Sequence, residues 1–150
     1  MPLSPVTLLM ADDDLEDCQI SEMALRQACV GVNLRFVHDG AELMAYLRRC
    51  GTDADTPFPG MILLDLNMPR LSGLQALAEI KADPALRRVP VIVFTTSQAA
   101  EDVERSYDLG ASAFVTKPMS FGGLTESFRT LSDFYLHVAA LPPAALPSAT

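Results

Sequence analysis

Basic residues are scarce in this chain: 11 Lys and Arg stand against 19 Asp and Glu, for a formal net charge of −8. A nucleic-acid binder needs a basic face to neutralise phosphates, so no nucleic-acid partner is expected. Cysteine is also thin. Cys18, Cys29 and Cys50 are odd in number and form no CxxC pair, which reads as buried thiols in a reducing cytoplasm. The two histidines, His38 and His137, are isolated, so no zinc-type ligand cluster is in view. No apolar run approaches the roughly 20 residues of a membrane span, and the opening MPLSPVTLL carries no basic n-region. Neither a membrane partner nor a secretory leader is expected. A Gly-rich phosphate loop is missing behind the first apolar run, which speaks against a flavodoxin-like ligand binder.

What the sequence does hold is a regular series of apolar runs. Hydrophobic residues make up 49% of the 150 positions and charged residues 20%, enough for one domain with a real core. VTLLMA (Val6 to Ala11) favours β structure and runs straight into the acids of MADDDLED. Ile20, Met23, Ala24 and Ala28 then recur at helical spacing. Leu34 to Val37 is a second strand, and Ala41 to Cys50 a second helix with Leu43 and Leu47 on one face. GTDADTPFPG is an irregular loop of turn formers. MILLD (Met61 to Asp65) has the apolar continuity of a strand covered on both faces. A third helix carries Leu74, Leu77 and Ala78 and closes at Asp83-Pro84. VIVFT (Val91 to Thr95) is the most β-branched run, and a helix from about Ala99 to Leu109 follows, with Gly110 as its C-terminal cap. AFVT (Ala113 to Thr116), Lys117-Pro118 and a last helix from Phe121 to about Ala139 complete the pattern. The alternation predicts an α/β fold of (βα)5 type, a doubly wound parallel sheet with helices on both faces. Residues 1–139 form one domain, and the Pro- and Ala-rich residues 140–150 are expected to be a disordered tail. No repeat is visible, and no output module is expected behind Lys117.

In open α/β sheets, ligands bind beyond the carboxyl ends of the strands. The first strand ends in Asp12-Asp13-Asp14, the third in Asp65 followed by Asn67, the fourth in Thr95, Thr96 and Ser97, and the fifth leads into Lys117-Pro118. The second ends in His38-Asp39-Gly40 and reads as a turn. Acids, a hydroxyl and an ammonium thus converge on one sheet edge. Carboxylates with a carbonyl suit Mg²⁺ or another divalent cation, which would keep the acid cluster ionised. A carboxylate beside such a metal, with a lysine and a hydroxyl near by, is the equipment of phosphoryl transfer to an aspartate.

At these positions the chain resembles a response-regulator receiver domain, from about Thr7 to Val138. LLMADDD resembles the receiver's first strand with its acidic pair, and DLNMPRLSG the phosphoacceptor segment through Asp65, Met68, Pro69 and Gly73. VIVFTTS resembles the hydroxyl-bearing strand, and GASAFVTKP the strand that carries the aromatic switch and the lysine. The resemblance implies a five-stranded sheet of flavodoxin-like order 2-1-3-4-5. It implies Asp65 as phosphoacceptor and Asp13 as the main metal ligand, with Asp12 near by and Asn67 giving a backbone carbonyl. It further implies Thr95 and Lys117 on the phosphoryl oxygens, Phe114 as the aromatic that reports the state, and a cis peptide bond at Pro118. Asp14 and Thr96 depart mildly from the usual pattern, Thr96 being bulkier than is common there. The implied role is that of a cytoplasmic phosphoacceptor without output domain. A histidine kinase would phosphorylate it, an unidentified downstream protein would read it, and it would catalyse only its own phosphorylation and dephosphorylation. The GTDADTPFPG loop, the FTTS run and SYDLGASAF are similar to single-domain receivers that serve phytochrome-type kinases.

Bland and rival readings stand beside this one. Asp14 and Asp17 serve as first-turn acids of the first helix. A pseudo-receiver that is never phosphorylated and a phosphate-relay sink remain alternatives. A haloacid-dehalogenase-type phosphatase would want a second acid two residues after the nucleophile, where Asn67 stands. In the last helix, Phe121, Leu124, Phe128, Leu131, Tyr135 and Val138 recur as a core face. Phe134, Leu136 and Leu141 are surplus to it, which points to a homodimer built on that helix.

Overall fold

The computed structural model describes residues 6–28 and 31–142. Cys29 and residues 143–150 of the expected tail lie outside the described residues. Five strands, β1 (Thr7–Ala11), β2 (Asn33–Val37), β3 (Pro59–Leu64), β4 (Val91–Thr95) and β5 (Ala113–Thr116), form one sheet in the order β2-β1-β3-β4-β5, every pair parallel. Between and after them run α1 (Leu15–Ala28), α2 (Gly40–Arg49), α3 (Gly73–Ala82), α4 (Ala100–Asp108) and α5 (Phe121–Ser132). The expected architecture and strand order are both present.

The three inner strands are buried along their whole length, whereas β2 and β5 at the edges are only partly covered. Alternation along the strands divides the core in two. Leu9, Ile62, Leu64, Val91 and Val93 face Leu43, Leu47, Leu77 and Ile80 of α2 and α3. Leu8, Met10, Leu63, Ile92 and Phe94 face Ala24, Leu25 and Phe128 of α1 and α5. Phe94 and Phe128 meet with ring centroids 5.0 Å apart. Each such side chain contributes about 1.5–3 kcal/mol by leaving water.

Helix starts are fixed locally. Asp14 Oδ1 accepts the N–H groups of Glu16 and Asp17 ahead of α1, and Asp39 caps α2 through Glu42 N–H. Ser72 and Gln75 form a capping box at α3, and Ser120 caps α5. The parallel ladder runs one residue past three strands: Asp12 N–H donates to the Val37 carbonyl, Asp65 N–H to that of Ala11, and Lys117 N–H to that of Thr95. Backbone pairing, rather than loop chance, therefore sets Asp12, Asp65 and Lys117 side by side.

The last helix departs from expectation. It is α-helical only to Ser132, then becomes a π-helical turn from Asp133 to Val138, with Ala139 N–H on the Phe134 carbonyl. The wider turn rotates the apolar stripe. Tyr135 stays against the core, while Val138, expected inside, is 74% exposed, and Phe134 is 52% exposed. Leu141 is half-buried instead of surplus. It sits over the start of β3, where a Cβ on Gly60 would approach its side chain to 3.0 Å.

Tyr46 on α2 is buried and its hydroxyl donates to the Pro57 carbonyl at 2.7 Å, tying the 51–58 loop to the helix. Burial pushes its phenol up to about 12, with a smaller contribution from Cys50. A group whose folded pKa lies above its unfolded one stabilises the fold below the unfolded value, about 10 for tyrosine, and loses that contribution as pH rises through the folded one. Tyr46→Phe should therefore cost about 1 kcal/mol at pH 7 and lose less further stability than the wild type between about pH 10 and pH 12, as read by urea unfolding.

Candidate functional site

The cluster at the sheet edge is built from the residues that follow β1, β3 and β5 and the last residue of β4. Asp12 has no exposed surface; its Oδ1 accepts the Asp14 N–H at 3.0 Å and its Oδ2 accepts Lys117 Nζ at 2.6 Å. Asp65, 8% exposed, holds its two oxygens differently. Oδ1 accepts the Thr95 hydroxyl at 3.0 Å and the Asn67 N–H at 3.2 Å, while Oδ2 faces Lys117 Nζ at 3.4 Å. Asp13 is exposed at the mouth, and Asp12, Asp13 and Asp65 each offer an oxygen within 4.8 Å of the others.

Electrostatics follow from this crowding. Burial by itself draws the Lys117 ammonium down, but the hydrogen bond to Asp12 and the charges of Asp65, Asp12 and Asp17 prevail and hold it above its ordinary value. Burial raises the Asp17 carboxyl, against the pull of Lys117 3.9 Å away and with the push of Asp14, Asp12 and Asp65. Cys18, buried under the site with Sγ 3.4 Å from the Asp12 carbonyl, is pushed up to about 12 by burial and by the charge of Asp12. That thiol is inert at neutral pH, in line with a structural role.

Gly73 shows how tightly the scaffold closes on this edge. A Cβ there would run into the Asp65 carbonyl oxygen and the Leu66 backbone, and the Gly73 N–H donates to the Leu66 carbonyl at 3.0 Å. Only glycine lets α3 start this close to the strand end.

Asp12, Asp13, Asp65, Thr95 and Lys117 come together as the sequence implied. Asn67 is placed beside them, contributing its N–H to Asp65. Phe114 is half-buried on β5 against the core under α2 and α3. One implied feature is corrected: the peptide bond into Pro118 is trans, and no cis bond occurs among the described residues. Trans is the lower form before proline by about 0.5–1 kcal/mol, and Lys117 reaches both carboxylates from it. Three contacts were not foreseen. Asp17 turns back to Lys117 from the first turn of α1, which a helix start at Leu15 would have indicated. Ser97 bonds Asp102, a pairing across a helix start that no sequence periodicity marks. His38 Nδ1 lies 3.3 Å from the Asp12 carbonyl, and nothing in the sequence signals that contact.

The donor set is all oxygen and anionic, partly solvated at Asp13, which fits a hard divalent cation. The family model of the response regulator receiver domain matches residues 8–129. The chain belongs to this family. Among relatives of this receiver, Response regulator Rcp1 of Synechocystis sp. is 35% identical over 140 residues, 93% of this chain and 95% of its own length. The crystal structure of phosphorylated RcpA, a cyanobacterial phytochrome response regulator, superposes with a TM-score of 0.84 at 38% identity, covering 92% of this chain and 99% of that one. A response regulator in red light signaling of R. palustris follows at TM-score 0.83 and 34% identity, with 92% and 98% covered. Rcp1 has also been crystallised in an Mn²⁺-bound form. No helix among the described residues is long and apolar enough to cross a membrane.

Removing the ammonium leaves Asp12 buried and unpaired. Lys117→Met should lose about 2–3 kcal/mol at pH 7 in the absence of divalent cations, less than the 3–5 of a fully enclosed pair because Asp13 admits water. Urea unfolding at pH 7 checks this.

Proposed function

We propose that this receiver is a cytoplasmic switch that takes a phosphoryl group onto Asp65 from a histidine kinase of the phytochrome type. The observation that carries the reading is the division of labour at Asp65. Thr95 and Asn67 occupy Oδ1, so Oδ2, which faces the Lys117 ammonium, is the nucleophile. Attack of Oδ2 on the phosphorus of a phosphohistidine forms the P–O bond and breaks the P–N bond, whose electron pair stays on the imidazole. Lys117 neutralises the charge gathering on the phosphoryl oxygens, and the Thr95 hydroxyl turns from Oδ1 to one of them. Asp13, Asp12, Asp65 and the Asn67 carbonyl would hold Mg²⁺, which when bound supplies charge neutralisation between carboxylates and phosphoryl group. Return to the resting state is hydrolysis of the acyl phosphate within the same site, so the chain acts on no external substrate.

A protein donor suits the surroundings. A cleft of about 480 Å³ beside Lys117 is lined by Ile20, Met23, Met119 and Phe121, which are 44%, 61%, 100% and 38% exposed. Phosphorylation then biases a two-state element: Thr95 shifts, Phe114 turns inward behind it, and the face of α4, β5 and α5 presented to a downstream protein changes. The likeness to RcpA and to the R. palustris regulator supports the light-sensing kinase as partner.

Intact mass after incubation with acetyl phosphate tests the core of this. Wild type should gain one phosphoryl group with Mg²⁺ and none with EDTA, and Asp65→Asn should gain none. An adduct retained in Asp65→Asn would overturn the assignment. Mg²⁺ at about a hundred times its dissociation constant should add about 2.7 kcal/mol of stability to the wild type, and Asp13→Asn should lose most of that increment in thermal unfolding.

The exposed Phe134 and Val138 on the π turn support a homodimer through the end of the last helix. Light scattering at high micromolar concentration should give the mass of a dimer, and Phe134→Asp that of a monomer. A monomeric wild type would sink this part of the proposal alone.

A further inference from the structure

Helix α4 begins without a side-chain cap. Its N-cap residue is Ala99, whose carbonyl accepts the Asp102 and Val103 N–H groups but whose side chain offers no acceptor to the first turn. Ser97 takes over from two residues upstream. Its Oγ accepts the Ala99 N–H at 3.2 Å and donates to Asp102 Oδ2 at 2.6 Å. Asp102 is itself fixed in the helix, its carbonyl accepting the hydroxyl of the buried Ser106 at 2.7 Å.

On its other side Ser97 touches the site. Its N–H reaches Thr95 Oγ1 at a long 3.5 Å, and its carbonyl accepts the Thr116 hydroxyl of β5 at 3.4 Å. The Thr95 hydroxyl in turn donates to Asp65 Oδ1 at 3.0 Å. A run of polar contacts thus leads from the acceptor carboxylate to the first turn of α4, with Ser97 at its centre.

The two halves of that run differ in strength. The Ser97–Asp102 bond is short and ends on a carboxylate, so it is of the strong, charge-assisted kind. The Ser97–Thr95 contact is at the limit of hydrogen-bond length and yields easily. The loop is therefore tied firmly to α4 and loosely to Thr95.

We propose that Ser97 and Asp102 are positioning residues that transmit the state of Asp65 to α4. When the Thr95 hydroxyl turns toward a phosphoryl oxygen, the Ser97 N–H changes its acceptor, and the Ser97–Asp102 bond carries the displacement into the first turn. This rests on phosphorylation of Asp65 as described above. It adds the route by which the helix learns of it, through a serine that supplies the side-chain contact Ala99 cannot make.

The test is amide hydrogen exchange over residues 97–106, with and without phosphorylation, the phosphorylated fraction being read by intact mass on the same samples. In wild type, phosphorylation should change exchange in the first turn of α4 about fivefold, the size of one hydrogen bond. In Ser97→Ala and in Asp102→Ala the change, normalised to the phosphorylated fraction, should fall below about twofold, while Asp102→Asn, which keeps an oxygen for the serine hydroxyl, should retain the wild-type response. A merely structural cap would speed exchange equally in both states and leave the ratio as in wild type. That result in both alanine variants overturns the proposal, as does a phosphorylated wild type whose α4 does not respond. A wild type that takes no phosphoryl group overturns the proposed function itself, and the mass alone distinguishes that case.

Discussion

Lys117 Nζ sits 2.6 Å from Asp12, 3.4 Å from Asp65 and 3.9 Å from Asp17, and the rest of the site depends on that one ammonium. Asp12 is wholly enclosed, and a buried carboxylate without a partner costs several kcal/mol. Lys117 offsets this cost, yet a single positive charge cannot neutralise Asp12, Asp13 and Asp65 together. The surplus of negative charge fits the site for a further cation, and in the proposed function Lys117 would meet the phosphoryl group. Under the proposed function the same residue would serve folding and chemistry, and substitution at that position alone would not separate the two roles.

The scaffold delivers these groups by backbone means. Ladder bonds continue one residue past β1, β3 and β5, so the tips holding Asp12, Asp65 and Lys117 are registered as firmly as the strands. Gly73 admits α3 against the Asp65 carbonyl, and buried residues above and below the sheet hold the inner strands rigid. Rigidity is concentrated where charge must be held. To the side lie the loop after β4, the start of α4 with no side-chain cap from Ala99, the half-buried Phe114 and the π turn behind α5. The proposed switch would act through such elements, because a displacement at Asp65 can move only what is not already fixed by packing.

Much of this was readable from residue order. Continuous apolar runs at Met61–Leu64 and Val91–Phe94 mark inner strands, because only a strand covered on both faces is apolar at every position. The site residues were legible because chemistry in an open α/β sheet gathers at strand ends, and Asp12, Asp65, Thr95 and Lys117 occupy four of them. The end of the last helix was not legible. Phe121 to Val138 keeps a helical apolar spacing throughout, so nothing in it announces that the winding loosens at Asp133 and turns Val138 outward. Leu141 likewise finds its seat over Gly60, a contact between residues far apart in sequence. The isomer at Pro118 was misjudged for a related reason: the two forms differ by little locally, and the surrounding fold selects one.

The sequence by itself determined the alternation of strands and helices, the parallel sheet and the identity of the charged groups at its edge. Those follow from periodicity and from local backbone preferences, which act over a few residues. Tertiary structure alone decided which oxygen of Asp65 faces Lys117, that Asp12 is sealed while Asp13 meets water, and that Ser97 joins Thr95 to Asp102. Each of these is a distance between side chains brought together from separate strands and helices. Such distances are set by how the sheet twists and how the helices pack upon it, which no local pattern encodes.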